Sequence, residues 1–303
     1  MDIRTSHPFS LCWINRFYCA FFRHILGLGI AALFSIKCNA ADPALSLIRG
    51  EAVQGGLMVF QLSQGITVTL DGTSIPVTPA GLFVIGFHRD DVDPITLTLT
   101  SIAGKTHKHI VTPRLRDYDV QRINGLNRNQ VTPPEDTIAR IKQDIKTVKN
   151  ARATLSFFSD AIDNGFSWPS PGRITGVYGS QRILNGEPRQ PHYGIDIAAA
   201  EGTPVSASAD GIVTMATDLY FTGGTIIIDH GYSLNSTYSH LKNLKVSEGQ
   251  TLHRGHVIGT VGSTGRSTGP HLDWRINWGN KRLDPMLLAD PYQPSVPAPR
   301  PTR

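Results

Sequence analysis

Residues 256–277 read HVIGTVGSTGRSTGPHLDWRIN, two short β-type runs joined by a turn rich in glycine and serine. Short runs with β-branched or aromatic side chains, bounded by glycine, are typical of strands. Four similar runs precede them in the same part of the chain: TPVSA, GIVTMA, GGTIIIDH and NSTYSHL. Tight turns and no helical stretch between six such runs predict an antiparallel β-sheet core, which we assign to residues 165–290.

A second set of β-type runs lies nearer the N-terminus, in residues 42–115. It contains LMVFQLS, ITVTL, GLFVIGF and ITLTLT, punctuated by glycine, aspartate and proline. This pattern predicts a small all-β accessory domain, which could be an immunoglobulin-like sandwich. The fold class is therefore mainly β, with two β regions and one connecting helix.

The connecting helix is assigned to residues 132–163. Thr132 precedes two prolines and Glu135, the arrangement of a capping box. An apolar stripe at helical spacing follows, formed by Ile138, Ile141, Ile145 and Val148. Because the stripe is short, it favours a linker helix packed against one domain over a coiled coil. We expect the basic residues of this helix to form a solvated face: Arg140, Lys142, Lys146, Lys149 and Arg152.

The first forty residues predict a secretory signal peptide. Arg16 and Arg23 precede the apolar run ILGLGIAALFSI, and the small residues Cys38 and Ala40 follow it. Cleavage after Ala40 would remove all three cysteines and give an exported protein, periplasmic, held in the cell envelope or secreted. The apolar run is short for a membrane span, so we expect none after cleavage, and a retained signal anchor is the alternative.

At the other end, five prolines in residues 291–303 predict a disordered tail.

The charge distribution argues against a nucleic-acid partner. The formal net charge is +5, but residues 1–40 contribute +3 of it. The remaining residues carry 25 basic and 23 acidic side chains, a nearly balanced surface. We therefore expect no nucleic-acid partner. The oligomeric state stays open, with a monomer as the expectation.

Three polar clusters in the C-terminal region could carry chemistry. They are His192 and Asp196 in HYGID, His240 in YSHL, and His271 and Asp273 in HLD. Residues two apart in an extended chain share a face, so each cluster can point into one groove. Zinc accepts imidazole and carboxylate ligands and keeps an open position when it is catalytic, while the remaining groups can transfer protons. The other histidines of this region, His230, His253 and His256, are interpreted as structural or surface residues.

The order and spacing of these clusters, with the glycine-rich turns between them, resemble the lysostaphin-type, or LytM-like, zinc peptidases of metallopeptidase family 23. The matching text lies between about residues 172 and 285: HYGIDIAAAEGTPVSASADGIV, IIIDHGYS, TYSHL, VIGTVGSTGRSTGPHL and LDP. The resemblance implies the lysostaphin-type fold, one Zn²⁺ per chain, and hydrolysis of stem or cross-link peptide bonds in bacterial peptidoglycan during cell-wall remodelling. It implies His192 and Asp196 as zinc ligands. It also implies His240 and His271 as catalytic residues that polarise water and stabilise the transition state.

Position 273 departs from the family pattern. The family's third ligand is the second histidine of His-x-His, and this sequence has Asp273 there. A carboxylate is an accepted zinc ligand, so Asp273 is the predicted third ligand. Its extra negative charge should make a bound water less acidic than a neutral ligand would. The alternative is that Asp273 orients a histidine instead of touching the metal.

Two other functions stay open. The first is a catalytically inactive family member that binds peptidoglycan and activates or regulates another cell-wall hydrolase. The second is a peptidoglycan-binding module in which residues 42–115 form the main site, although they show no aromatic cluster or charged groove. The segment SQRILNGEPRQP, residues 180–191, could wall the groove or be a plain connection.

Overall fold

The computed structural model describes residues 44–123 and 135–291, all within one compact unit, residues 41–303. The predicted signal peptide, Thr132 of the predicted capping box and most of the proline-rich tail lie outside the described residues. Within the described part of the chain, no helix has the length and apolarity needed to cross a bilayer.

The N-terminal β region consists of two antiparallel sheets that share one apolar core. One sheet has the strand order β1 (Leu45–Arg49), β2 (Leu57–Leu62) and β5 (Leu82–Gly86). The other has the order β4 (Thr73–Ser74), β3 (Ile66–Leu70), β6 (Ile95–Ser101) and β7 (Thr106–Val111). Side chains of both sheets, among them Phe60, Phe83 and Leu97, pack in the same buried cluster. The β-type runs of residues 42–115 therefore form strands, as the sequence predicts, and their division into a separate domain stays a prediction.

A large antiparallel sheet dominates the C-terminal region, as the sequence predicts. Its main path has the order β17 (Thr251–Leu252), β14 (Gly211–Leu219), β15 (Gly223–Asp229), β16 (Leu234–Leu244), β19 (His271–Trp278), β12 (Ile195–Ala198) and β9 (Arg173–Gly176). Three further strands join it, β13 (Pro204–Ser206), β18 (Val257–Val261) and β20 (Lys281–Leu283). One face of the sheet is apolar and fully buried, with Trp274 and Tyr238 its largest side chains.

Helices occupy little of the described chain. A 3-10 turn, Glu135–Thr137, leads into α1 (Ile138–Arg152), and α2 (Asp160–Asn164) follows; α3 (Pro285–Leu288) lies near the end. Helix α1 packs through Val148 and Ala151 against strands β14 and β15. The predicted apolar stripe is wrong in part, because Ile138 and Ile145 are 41% and 63% exposed.

The predicted solvated face of α1 also needs a correction, at its last residue. Arg152 turns towards the sheet and donates from Nη2 to Thr237 Oγ1 at 3.2 Å, and its Nε is buried. The helix ends against β16, so its final turn cannot project all its basic side chains into water.

The two β regions pack closely on each other. Leu57, Val59 and Val84 of the N-terminal sheet belong to the same buried cluster as the large C-terminal sheet. Ion pairs add to this contact, including Arg116 to Asp284 at 2.8 Å. Separate folding of residues 165–290 stays a prediction, and truncation there would expose this shared apolar surface to water.

The segment 180–191 is a β-hairpin of β10 (Gln181–Leu184) and β11 (Glu187–Pro188). Strand β10 also pairs, in parallel, with β8 (Val120–Ile123), which follows the N-terminal β region. The backbone that leads into His192 is therefore fixed by a strand from the other half of the molecule.

His230 is a structural histidine, in agreement with its interpretation from the sequence. It is fully buried, and its Nδ1 donates to the Asp210 carbonyl at 2.7 Å while Nε2 lies 2.6 Å from Ser236 Oγ. Because a carbonyl oxygen can only accept, Nδ1 of the ring carries a proton. Burial lowers the pKa of His230 to about 4.

We expect this histidine to make the fold acid-sensitive. Between about pH 6.5, the ordinary histidine value, and about pH 4, the unfolded chain binds a proton at His230 that the folded chain excludes. Stability is therefore lost as the pH falls through this window, by about 3 kcal/mol at most. Urea denaturation at pH 7 and pH 4.5 measures the loss, which should be smaller in His230→Gln. An equal acid-induced loss in both proteins would contradict this assignment, and His253→Gln at an exposed site is the control.

Candidate metal centre

Strand register brings two of the predicted ligands together. Asp196 of β12 and Asp273 of β19 are direct partners across the antiparallel ladder, so their side chains share a face. Their neighbours Ile195 and Trp274, also paired, are fully buried on the opposite face. Packing of this large indole and its aliphatic partners therefore fixes the direction in which both carboxylates point.

His192 completes a cluster with these two carboxylates. Its backbone is held on both sides, since its N–H donates to the Ser180 carbonyl and its own carbonyl accepts from the Gly179 N–H, each at 2.8 Å. One ligand atom each from His192, Asp196 and Asp273 can be chosen so that all lie within 4.8 Å of one another. We call these three residues the metal trio. The structure thus places the three predicted zinc ligands together.

The imidazole of His192 carries the clearest sign of a missing partner. Its Nε2 is buried and, among the described residues, has no hydrogen-bond partner, although it lies 3.3 Å from Asp196 Oδ1. Buried polar atoms normally have a partner, so an atom left in this way next to two carboxylates fits a cation ligand.

Two glycines leave room for the carboxylates. A Cβ at Gly194 would lie 2.5 Å from the Trp274 carbonyl oxygen and 2.9 Å from Asp273 Oδ1. A Cβ at Gly176 would collide with the carboxylate of Asp196. Any larger residue at either position would push a ligand out of place, which explains the glycine inside HYGID in packing terms.

The two predicted catalytic histidines lie beside the metal trio and against each other. Their ring centroids are 4.7 Å apart, and His271 Nε2 is 3.9 Å from Asp196 Oδ1. Each ring donates from Nδ1 to a carbonyl oxygen at 2.8 Å, His240 to Thr264 and His271 to Gly269. These contacts place a proton on Nδ1 of each ring, which leaves Nε2 as the atom for proton transfer.

Backbone conformation places one of these rings. His240 has a φ of +64°, an unusual value for a residue other than glycine. Its N–H donates to the Thr222 carbonyl at 2.8 Å, where the β16 ladder departs from regular register. Strain of this kind persists only where surrounding contacts impose it, and it often marks functional residues.

The electrostatic environment shifts the pKa values of His192 and His240 in opposite directions. Burial alone would lower the pKa of His192, but the carboxylates of Asp196 and Asp273 outweigh burial and raise it. Burial lowers the pKa of His240, and its contact with Thr264 only partly offsets this. His240 is therefore neutral at pH 7, ready to accept a proton.

Asp273 has a second partner that the sequence analysis does not identify. Arg275 donates to it from Nε to Oδ1 at 2.9 Å and from Nη2 to Oδ2 at 2.5 Å. Burial would raise the pKa of Asp273, but the Arg275 guanidinium reverses this and holds it well below its usual range. The period-2 rule that groups residues 271 and 273 also places residue 275 on that face, so the sequence did contain the signal.

Comparison with known proteins agrees with the geometry. Residues 190–285 match Peptidase family M23. Over 107 residues the chain is 39% identical to peptidoglycan DD-endopeptidase ShyA of Vibrio cholerae, covering 35% of this chain and 25% of that protein. Over 100 residues it is 43% identical to DD-carboxypeptidase/endopeptidase Mpg of Neisseria meningitidis, covering 33% and 23%. The alignments thus span about a quarter of the length of these curated relatives.

A solved structure extends the similarity beyond the matched residues. A Pseudomonas aeruginosa protein assigned to peptidase M23 superposes with a TM-score of 0.61 at 27% identity, covering 78% of this chain and 94% of that one. Because this alignment covers more of the chain than residues 190–285, the structural similarity extends beyond the part that matches the family. Sequence match and fold agree, and the chain contains a domain of peptidase family M23.

Proposed function

We propose that this protein is a zinc-dependent endopeptidase that hydrolyses stem or cross-link peptide bonds of bacterial peptidoglycan. The observation that carries the proposal is the metal trio with the buried, unpartnered Nε2 of His192. The activities for which these relatives are named, peptidoglycan DD-endopeptidase and DD-carboxypeptidase/endopeptidase, support the same substrate class.

The residues present fit a zinc ion. One imidazole nitrogen and two carboxylates are accepted zinc ligands, and three protein ligands leave a position for water. Arg275 does not exclude Asp273 from this role, because a carboxylate has about four lone-pair sites and the guanidinium uses only some of them. The pair Asp273–Arg275 also has no net charge, like the neutral histidine of the family pattern. The positive charge of Arg275 therefore cancels the negative charge that Asp273 adds to the site.

The chain's own histidines can carry the protons of the reaction. When bound, zinc supplies Lewis acidity towards a water molecule and the scissile carbonyl. Nε2 of His240 and Nε2 of His271 can accept a proton from the attacking water and return one to the leaving amine. Their Nδ1 contacts to Thr264 and Gly269 orient the rings and stabilise the protonated form. The protonated rings also stabilise negative charge on the substrate oxygen.

One observation favours a second candidate, a catalytically inactive regulator of another cell-wall hydrolase. Arg275 contacts both oxygens of Asp273 and would compete with a weakly held metal. Metal content separates the two candidates: the peptidase purifies with about one zinc per chain, whereas the regulator does not.

The activity is tested by incubating the purified protein with peptidoglycan, with and without chelator. We expect new amino and carboxyl termini in the released peptides, identified by mass spectrometry, and none after chelation. Readdition of zinc should restore them. Zinc-loaded protein that releases no peptides would overturn the proposed reaction.

The substrate implies an exported protein. We propose that residues 1–40 direct export and are removed after Ala40, which places the peptidase in the periplasm or cell envelope, or outside the cell. In the same proposal, residues 165–290 form the peptidase domain and residues 42–115 an accessory domain. N-terminal sequencing of the protein recovered from the envelope fraction tests the cleavage site.

A further inference from the structure

The face of the sheet that carries the metal trio continues along β19 to Arg275 and Asn277. Thr237 lies opposite Arg275 in the ladder, and Arg282 lies opposite Asn277. Arg152 reaches this face from the end of α1, donating to Thr237 Oγ1 at 3.2 Å, and Arg282 donates from Nη1 to Asn277 Oδ1 at 2.8 Å. Three guanidinium groups thus converge beside the metal trio. We call Arg152, Arg275 and Arg282 the arginine strip.

The arginine strip has more positive than negative charge. Arg275 is paired with Asp273, whose side chain is only 4% exposed. Among the described residues, neither Arg152 nor Arg282 has a carboxylate within ion-pair distance, and each has only a neutral hydrogen-bond partner. Within the part of the chain that the structure describes, the buried Nε of Arg152 has no hydrogen-bond partner. Two partly buried guanidinium groups therefore have no counter-charge among the described residues.

Such an arrangement is costly unless an anion joins it. Buried charges are normally paired, since an unpaired one loses its hydration without compensation. Burial, and then the charges of Arg282 and Arg275, lower the pKa of Arg152 well below its ordinary value. Burial, and then Arg275, lower the pKa of Arg282 to about 10. Both groups nevertheless keep their protons at neutral pH, so the excess charge persists.

We infer that the arginine strip is a substrate subsite that binds a carboxylate of the peptide between Arg152 and Arg282. This inference rests on the proposed peptide substrate. All three arginines are partly exposed, so a ligand lying in the groove can reach them. A guanidinium offers a planar pair of donors that matches a carboxylate, which favours this ligand over an uncharged polar group.

The position of the strip limits which carboxylate it can hold. Arg275 and Asn277 lie two and four residues from Asp273 along β19, or about 7 and 13 Å in an extended strand. A peptide bound in an extended conformation spans a similar distance per residue. The bound carboxylate therefore belongs to a group about two to four residues from the bond being cut. A subsite of this kind would select acidic over amidated peptides.

The test compares one peptide in two forms, a soluble stem peptide isolated from peptidoglycan and the same peptide with its carboxylates converted to amides. Binding to the chelator-treated protein is measured by calorimetry, so that neither hydrolysis nor ligation of the peptide by zinc contributes. We expect the acidic form to bind at least about ten-fold more tightly, with an advantage that shrinks as salt is added. Equal affinity for the two forms would overturn the inference without any variant.

Substitutions test whether the preference for the acidic peptide depends on the arginine strip. Arg152→Gln and Arg282→Gln should each lose most of the preference for the acidic form and keep the weaker affinity for the amide. Lys149→Gln, an exposed lysine one turn earlier in α1, is the matched control and should keep the preference. A preference that survives in both arginine variants would contradict the assignment to this strip.

Stability provides an independent readout. If Arg152 serves the substrate and not the fold, Arg152→Met should melt at the same or a higher temperature, because an unpaired buried charge is removed. A large fall in Tm would show that Arg152 is structural and would contradict its role in the subsite. Carboxylate-dependent binding in a protein that cuts no peptidoglycan would keep the subsite and reject the peptidase.

Discussion

Asp273→Ala is expected to bind zinc at least about 100-fold more weakly than the unchanged protein. The estimate divides the roughly 10–16 kcal/mol of a four-ligand zinc site among its ligands, so that each contributes about 3 kcal/mol. Removing Asp273 would leave His192 and Asp196 as the remaining members of the metal trio, too few for a stable site. Competition with a chromogenic chelator measures the dissociation constant.

The pair with Arg275 requires a control in this experiment. Alanine at 273 leaves the Arg275 guanidinium half-buried without its carboxylate, which could destabilise β19. The double variant Asp273→His/Arg275→Gln replaces the neutral ion pair by a neutral imidazole and a neutral amide. We expect it to retain zinc, because histidine is a ligand of the same net charge as the pair. Unchanged zinc affinity in a folded Asp273→Ala protein would show that Asp273 only pairs with Arg275.

Only part of the candidate site was predictable from local periodicity. Residues two apart in a strand share a face, which is enough to group His271 with Asp273 and to place Trp274 in the core. The grouping of Asp273 with His192 and Asp196 followed from the resemblance to a known family. The antiparallel pairing of Asp196 with Asp273 was not predicted, since register between distant strands has no local signal.

The arginine strip was not predictable in the same way. The period-2 rule places Arg275 on the same face as Asp273. It does not show whether the guanidinium is hydrated or pairs with the buried carboxylate. Arg152 belongs to a helix whose basic residues look solvated, and its burial depends on where α1 ends against β16. The exposure of Ile145 has the same cause, because α1 packs through Val148 and Ala151 instead. Helix orientation is a tertiary property that overrides an amphipathic pattern.

His271→Ala is the second change with a large expected effect: peptide hydrolysis falls by about 100-fold or more while zinc remains bound. The ring lies beside the metal trio, with Nε2 3.9 Å from Asp196 Oδ1, but it is not one of the three clustered ligands. Its Nδ1 donates to the Gly269 carbonyl at 2.8 Å, so the ring is already oriented for proton transfer before substrate binds.

Two variants delimit this prediction. His192→Ala should lose both zinc and activity, because it removes a predicted ligand and not a proton carrier. His253→Ala removes a histidine whose side chain is 87% exposed and should change neither. Zinc content by mass spectrometry and the rate of peptide release from peptidoglycan are measured on the same preparations. If His271→Ala instead loses its zinc while Asp273→Ala keeps it, the roles of the two residues are exchanged: His271 is then the ligand, and Asp273 serves through its contact with Arg275.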